Sequence, residues 1–199
     1  YTAMDLYLLL LNNDFDPMQS PQIIQIALRS EIPQIIIFGL TILFYITTHY
    51  YEKMINHIDF VFYLKECINY LKSQNVFLIS DASSVIISII SSLQTGVNNQ
   101  TFDLSIIIQE IMNLISSSPA LHYIELLCDL VPFVNDVNSL IGIYQFGFAL
   151  SIKLFENKMK NGLSGTCHLF SAIFKQFSSL KIVFPVDESK NLFSFLVNL

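Results

Sequence analysis

Four histidines and three cysteines hold most of the chemistry open to this chain, and their spacing is sparse. His122 and Glu125 stand three residues apart. On a helix that puts both on one face, as a metal pair or a base with its orienting carboxylate would need. Such a site requires a third partner that the sequence does not name, and the plain alternative is an exposed helical pair. Cys167 and His168 are neighbours, so on a helix they point about 100° apart and share no task unaided. A buried small side chain is the ordinary role for such a cysteine. His49 and His57 fall on different helices. The stretch Gly162-Leu163-Ser164-Gly165-Thr166 reads as a helix opening whose free N–H groups could meet an anion, without the lysine of a phosphate loop. Its alternative is a glycine stop. No catalytic, cofactor-binding or metal-ligating residue is assigned, no cofactor is expected, and the chain is not expected to be an enzyme.

Composition narrows the class. Hydrophobic residues make up 53% of the 199 positions, and glycine and proline number only six each, so long helical windows are favoured over strands. The net charge of −6 argues against a general affinity for nucleic acid, as does the absence of tryptophan. Charge is unevenly spread: from residue 153 onward six lysines face three acids, so the remaining chain is strongly acidic. That lysine-rich end is a contact surface for an acidic partner or simply a solvated face. Cys67, Cys128 and Cys167 are odd in number and far apart, which suggests free thiols and an intracellular setting, cytoplasmic or nuclear. The first residue is Tyr1 rather than Met, so a segment of a longer protein is expected; Met4 to Leu11 lacks a basic region ahead of it and does not read as a signal peptide. Asn99-Gln100-Thr101 matches a glycosylation acceptor, a triplet expected by chance in an Asn-rich chain.

The elements that must position these residues read as helices throughout. A short helix over residues 2–11 is followed by a polar turn. Ser20-Pro21 opens the next, with Ile24, Ala27 and Leu28 on one stripe. Ser30 is expected to cap a second helix from Ile32 to about Thr48 that is apolar nearly all round. Such a helix belongs in a core or a bilayer, and its unbroken apolar run is short of the roughly 20 residues of a span. Asp59 caps a helix with Phe60, Tyr63, Leu64, Cys67, Ile68 and Leu71 inward. Ser80-Asp81 caps the next, which stops before Gly96. Asp103 opens a helix to Ser116, Ser118-Pro119 another to Val131, and Asn135 or Asp136 a long one continuing to about Lys160 and ending at Asn161-Gly162. Gly142 and Gly147 mark close approach of a neighbour along it. Further helices are expected over Ser164–Lys181 and from Asp187 to the end.

Ser20-Pro21 and Ser118-Pro119, each followed by a helix and spaced about a hundred residues apart, suggest stacked hairpins of roughly 40 residues. In this the chain resembles the armadillo or HEAT class of helical repeat, where short and long helices alternate and proline marks helix starts. The resemblance implies one all-α domain over residues 1–199, a right-handed solenoid-like stack of helical hairpins. A compact irregular helical domain is the alternative. It also implies a scaffold that docks a partner helix or peptide, with the terminal helices as contact sites. The candidate partner-binding residues are Leu192, Phe193, Phe195, Leu196, Lys181 and Lys190. A multi-span membrane protein using residues 32–51, 76–93 and 140–154 is the alternative function.

Overall fold

The computed structural model describes residues 20–95 and 103–184 together with Lys190 and Ser194. The expected helix over residues 2–11 and the Asn99 triplet lie outside these, as does most of the last expected helix, including Leu192, Phe193, Phe195 and Leu196. Among the described residues the secondary structure is entirely helical, with nine α-helices. By its contacts the chain divides into two compact units, Tyr1–Phe102 and Asp103–Leu199, and each is described by itself.

The first unit holds α1 (Ser20–Leu28), α2 (Pro33–His49), α3 (Tyr51–Met54), α4 (Phe60–Tyr70) and α5 (Val76–Thr95). Helix α2 begins at Pro33, where proline's missing donor costs nothing. Ser30 does not cap it: its Oγ accepts from Ile32 N–H at 3.1 Å, before the helix starts, and Ile32 stands at the cap with no side-chain bond. Asp59 does cap α4, accepting from Phe62 N–H at 2.9 Å. All six residues expected on the inner face of that helix, Phe60 to Leu71, are buried. Helix α5 departs from expectation. It starts five residues ahead of Asp81, because the Asn75 side chain accepts from the Phe77 and Leu78 N–H groups at 3.0 and 3.3 Å. Starting there buries Leu78 and Ile79 and leaves Ser80 and Asp81 inside the helix.

Close contacts fix the packing of the first unit. A Cβ on Gly39 of α2 would lie 2.8 Å from the Ala27 Cβ of α1, so the two backbones meet where only glycine fits. The Tyr70 hydroxyl donates to the Leu28 carbonyl at 2.6 Å, tying α4 to the end of α1. Leu40, Thr41 and Phe44 of α2 face Asp81 and Ser84 of α5. Further along, Ser92 Oγ donates to the Thr47 carbonyl at 3.2 Å. Position advances in the same direction on both helices, so α2 and α5 run parallel.

The second unit holds α6 (Leu104–Ser117), α7 (Leu121–Leu130), a 3-10 turn (Val131–Phe133), α8 (Val137–Glu156) and α9 (Lys160–Ser179). Asp103 and Asp136 cap α6 and α8, accepting from Ser105 and Ser139 N–H at 2.9 and 2.7 Å. The long helix ends earlier than expected. Asn157 closes α8, with its side-chain amide donating to the Lys153 carbonyl at 2.7 Å. Lys158 then turns left-handed at φ 57°, with Lys158 N–H bonded to Phe155 O and Met159 N–H to Leu154 O. This is a Schellman turn without its usual glycine. Gly162 is therefore no stop. It lies in the first turn of α9, buried, where a Cβ would come 2.9 Å from Leu154 Cδ2.

Gly147 of α8 approaches Leu169 and Phe170 of α9, as expected of it, whereas Gly142 faces open space. Leu154 against Gly162 and Gly147 against Leu169 set α8 and α9 antiparallel. At the start of α7, Leu121 and Ile124 press on Gly165; beyond its end, Val134 O accepts from the buried Gln176 amide at 2.9 Å. Helices α7 and α9 thus run the same way. Each unit contains one pair of parallel helices that are not neighbours in sequence, α2 with α5 in the first and α7 with α9 in the second.

Candidate functional site

Parallel packing of α7 and α9 sets their amino-terminal ends side by side, and a groove of about 500 Å³ opens between them. One wall is Pro119, Ala120 and Leu121; the other runs from Lys158 to Gly162. Unlike α4, α6 and α8, both helices start without a side-chain cap, from Ala120 and Met159. Leu163 N–H is the first in α9 to find a helical carbonyl, that of Met159. The N–H groups of Lys160, Asn161 and Gly162 have no acceptor among the described residues, and each helix start adds partial positive charge. Lys158 and Lys160 are exposed and make no ion pair among the described residues. Leu121 and Met159, both more than a third exposed, supply apolar surface beside them. At the same corner Lys153 Nζ reaches the Ser116 carbonyl at 3.5 Å.

The residues first considered for chemistry are not brought together. His122 sits in the first turn of α7 with its Nε2 buried and unbonded, and burial lowers its proton affinity against the opposing pull of Glu125. Glu125 is exposed. Among the described residues no group of three or more His, Cys, Asp or Glu could hold a metal ion. Cys167 and His168 are both exposed on α9, with no shared partner among the described residues. Burial pushes the Cys128 thiol up to about 12 and raises Cys67 further still, so both stay protonated at neutral pH. His49 stacks on Tyr45 with ring centroids 4.5 Å apart, and His57 is exposed in the turn after α3. Lys181, expected at a partner-binding surface, is exposed and forms the left-handed turn that ends α9. Lys190, the other lysine expected at that surface, is exposed and helical.

No family model, curated protein or solved structure matches the chain.

Two features of the grooves were missed in the sequence. Lys158 and Lys160 read as cations at the end of one long helix, where the dipole favours them; Lys158 does close α8, but Lys160 is the first residue of α9, where the dipole disfavours it. The legible signal was the spacing Gly162, Gly165, Leu169, Ile173, which carries the α9 stripe back ahead of Ser164. In the first unit a smaller groove of about 180 Å³ is lined by Leu40, Thr41, Phe44, Asp81 and Ser84. There the half-buried Asp81 carboxylate makes no hydrogen bond among the described residues, and desolvation raises its pKa.

Proposed function

We propose that this chain is a protein-interaction module: a helical-repeat segment, without enzymatic activity, that docks a helix or peptide of a partner within a larger intracellular assembly. The observation that carries the reading is the groove between the starts of α7 and α9, which combines exposed aliphatic side chains with unpaired cations and uncapped N–H groups. Its volume falls within the roughly 300–1,000 Å³ of binding clefts. Parallel packing of α2 with α5 and of α7 with α9, with α8 antiparallel to α9, supports an armadillo- or HEAT-like repeat, a class that works by presenting surface. The three cysteines are free, in keeping with a reducing compartment. A photoreactive residue placed at Met159 of the whole chain should crosslink one discrete protein in cells, while the same residue at exposed Asn69 should not. Equal labelling at both positions, or none at either, would count against docking here.

A second reading, a multi-span membrane protein, draws on Val76–Gln94 and Val137–Glu156, which are long and apolar enough to cross a bilayer. Half of the residues of the first are buried inside the fold, as in a soluble core helix. Recovery of the expressed chain in a high-speed supernatant without detergent supports docking; release from the pellet only by detergent supports the membrane reading.

A further inference from the structure

The groove between α7 and α9 is chemically one-sided. Its cations are Lys158 and Lys160, and the two helix starts add uncompensated N–H groups. Lys160 also stands where the fold disfavours it. It is the first residue of α9, and a cation at the positive end of a helix is destabilising, whereas Asp or Glu there would help. Among the described residues three other helices begin at an Asp cap; this one begins with lysines on either side of Met159. A residue that opposes the stability of its own helix, makes no ion pair among the described residues and lines a groove fits a binding role.

Building on the docking reading, we propose that this groove binds an acidic segment of a partner protein. Carboxylates of the segment lie against Lys158, Lys160 and the α9 start, and one aliphatic side chain seats beside Leu121 and Met159. Charge complementarity and an aliphatic wall select this occupant. A nucleic acid strand would call for bases to stack on aromatic rings, and the groove lining contains none. The chain's net charge of −6 would also repel a polyanion, while a short acidic segment meets only the local lysines.

The test uses the whole chain and an array of octapeptides built from Glu and Leu in permuted order, beside the same array with Gln replacing every Glu. Three variants accompany it: Lys160→Glu, Ala120→Trp to fill the groove, and Lys65→Glu on the first unit as control. The proposal expects binding by Glu peptides alone, weakened about tenfold or more by Lys160→Glu. It also expects loss in Ala120→Trp, no change in Lys65→Glu, and weakening as NaCl is raised. Because Glu suits the first turn of a helix, the thermal midpoint of Lys160→Glu should hold or rise as affinity falls, which separates binding from damage to the fold. Gln peptides binding equally well, lost in Ala120→Trp but kept in Lys160→Glu, would overturn the acidic partner and leave docking intact. No peptide bound, or binding indifferent to Ala120→Trp, would overturn docking at this groove. Displacement of peptide by inorganic phosphate or a single-stranded oligonucleotide at equal or lower concentration would overturn the peptide as occupant.

Discussion

Lys158 and Lys181 hold the same position in two successive helix ends, each left-handed, with φ of 57° and 56°. In both, the following N–H reaches back to the third residue from the helix end: Met159 to Leu154 and Ile182 to Phe177. The second turn folds the chain back so that Phe184 packs among Tyr144, Phe174 and Phe177, with ring centroids about 5 Å away. A side chain in this conformation is strained where glycine is not. Lys181→Gly should therefore stabilise the second unit by about 0.5–1 kcal/mol. Urea unfolding should show the gain; a loss of stability would mean that the lysine side chain does more than end the helix.

Gly39 and Gly142 should respond in opposite directions to the same change. A Cβ at Gly39 would meet the Ala27 Cβ, which has no rotamer by which to yield. Gly39→Ala is expected to cost about 1–3 kcal/mol, through forced separation of α1 and α2. Gly142, exposed inside α8 with nothing within 4 Å of the added carbon, should gain about 0.5–1 kcal/mol as Ala. Thermal unfolding of the two variants beside the parent chain reads both.

Asp81 gives a pH signature. Desolvation raises its folded pKa above the unfolded value, so its contribution to stability is full below the ordinary carboxylate range, about pH 4, and is lost as pH rises through the folded pKa. Asp81→Asn should be more stable than the parent at pH 7, with the difference closing towards pH 3. A constant difference across that range would contradict the desolvation of Asp81.

His122 gives the reverse signature. Its folded pKa is lowered, so its contribution is present above the unfolded value, about pH 6.5, and is lost as pH falls through the folded one. Stability should fall between pH 7.5 and pH 5.5, and His122→Gln should flatten that fall. Unfolding midpoints at the two pH values, for both proteins, provide the check.

Gln176 joins α9 to the segment after α7 by one buried bond, amide to Val134 carbonyl. Gln176→Leu would strand that carbonyl and should cost about 1–3 kcal/mol, more than the change in apolar area suggests. Unchanged stability by urea unfolding would show that the carbonyl finds another donor.

What the sequence made legible was local. Asp59, Asp103 and Asp136 announced their helices because a short acceptor ahead of an apolar run has one good use, and the α4 face followed from spacing alone. What stayed hidden depended on competition or distance. Asn157 and Asn161-Gly162 are rival stop signals four residues apart. The nearer one wins because it frees Gly162 to pack on Leu154. Ser80-Asp81 looked like a cap until Asn75 claimed that role and drew Leu78 and Ile79 into the core. The groove joins Ala120 to Lys160, forty residues apart, and exists only once α7 and α9 lie parallel; no local pattern encodes that.

The most direct measurement is a backbone amide spectrum of the 199-residue chain, isotope-labelled and titrated with the tightest-binding acidic octapeptide. The account predicts saturable shifts concentrated at Leu121, His122, Lys160, Asn161 and Gly162, the uncapped starts of α7 and α9. Shifts centred on the Asp81 groove or on the outer helix faces, with those five signals unmoved, would contradict it.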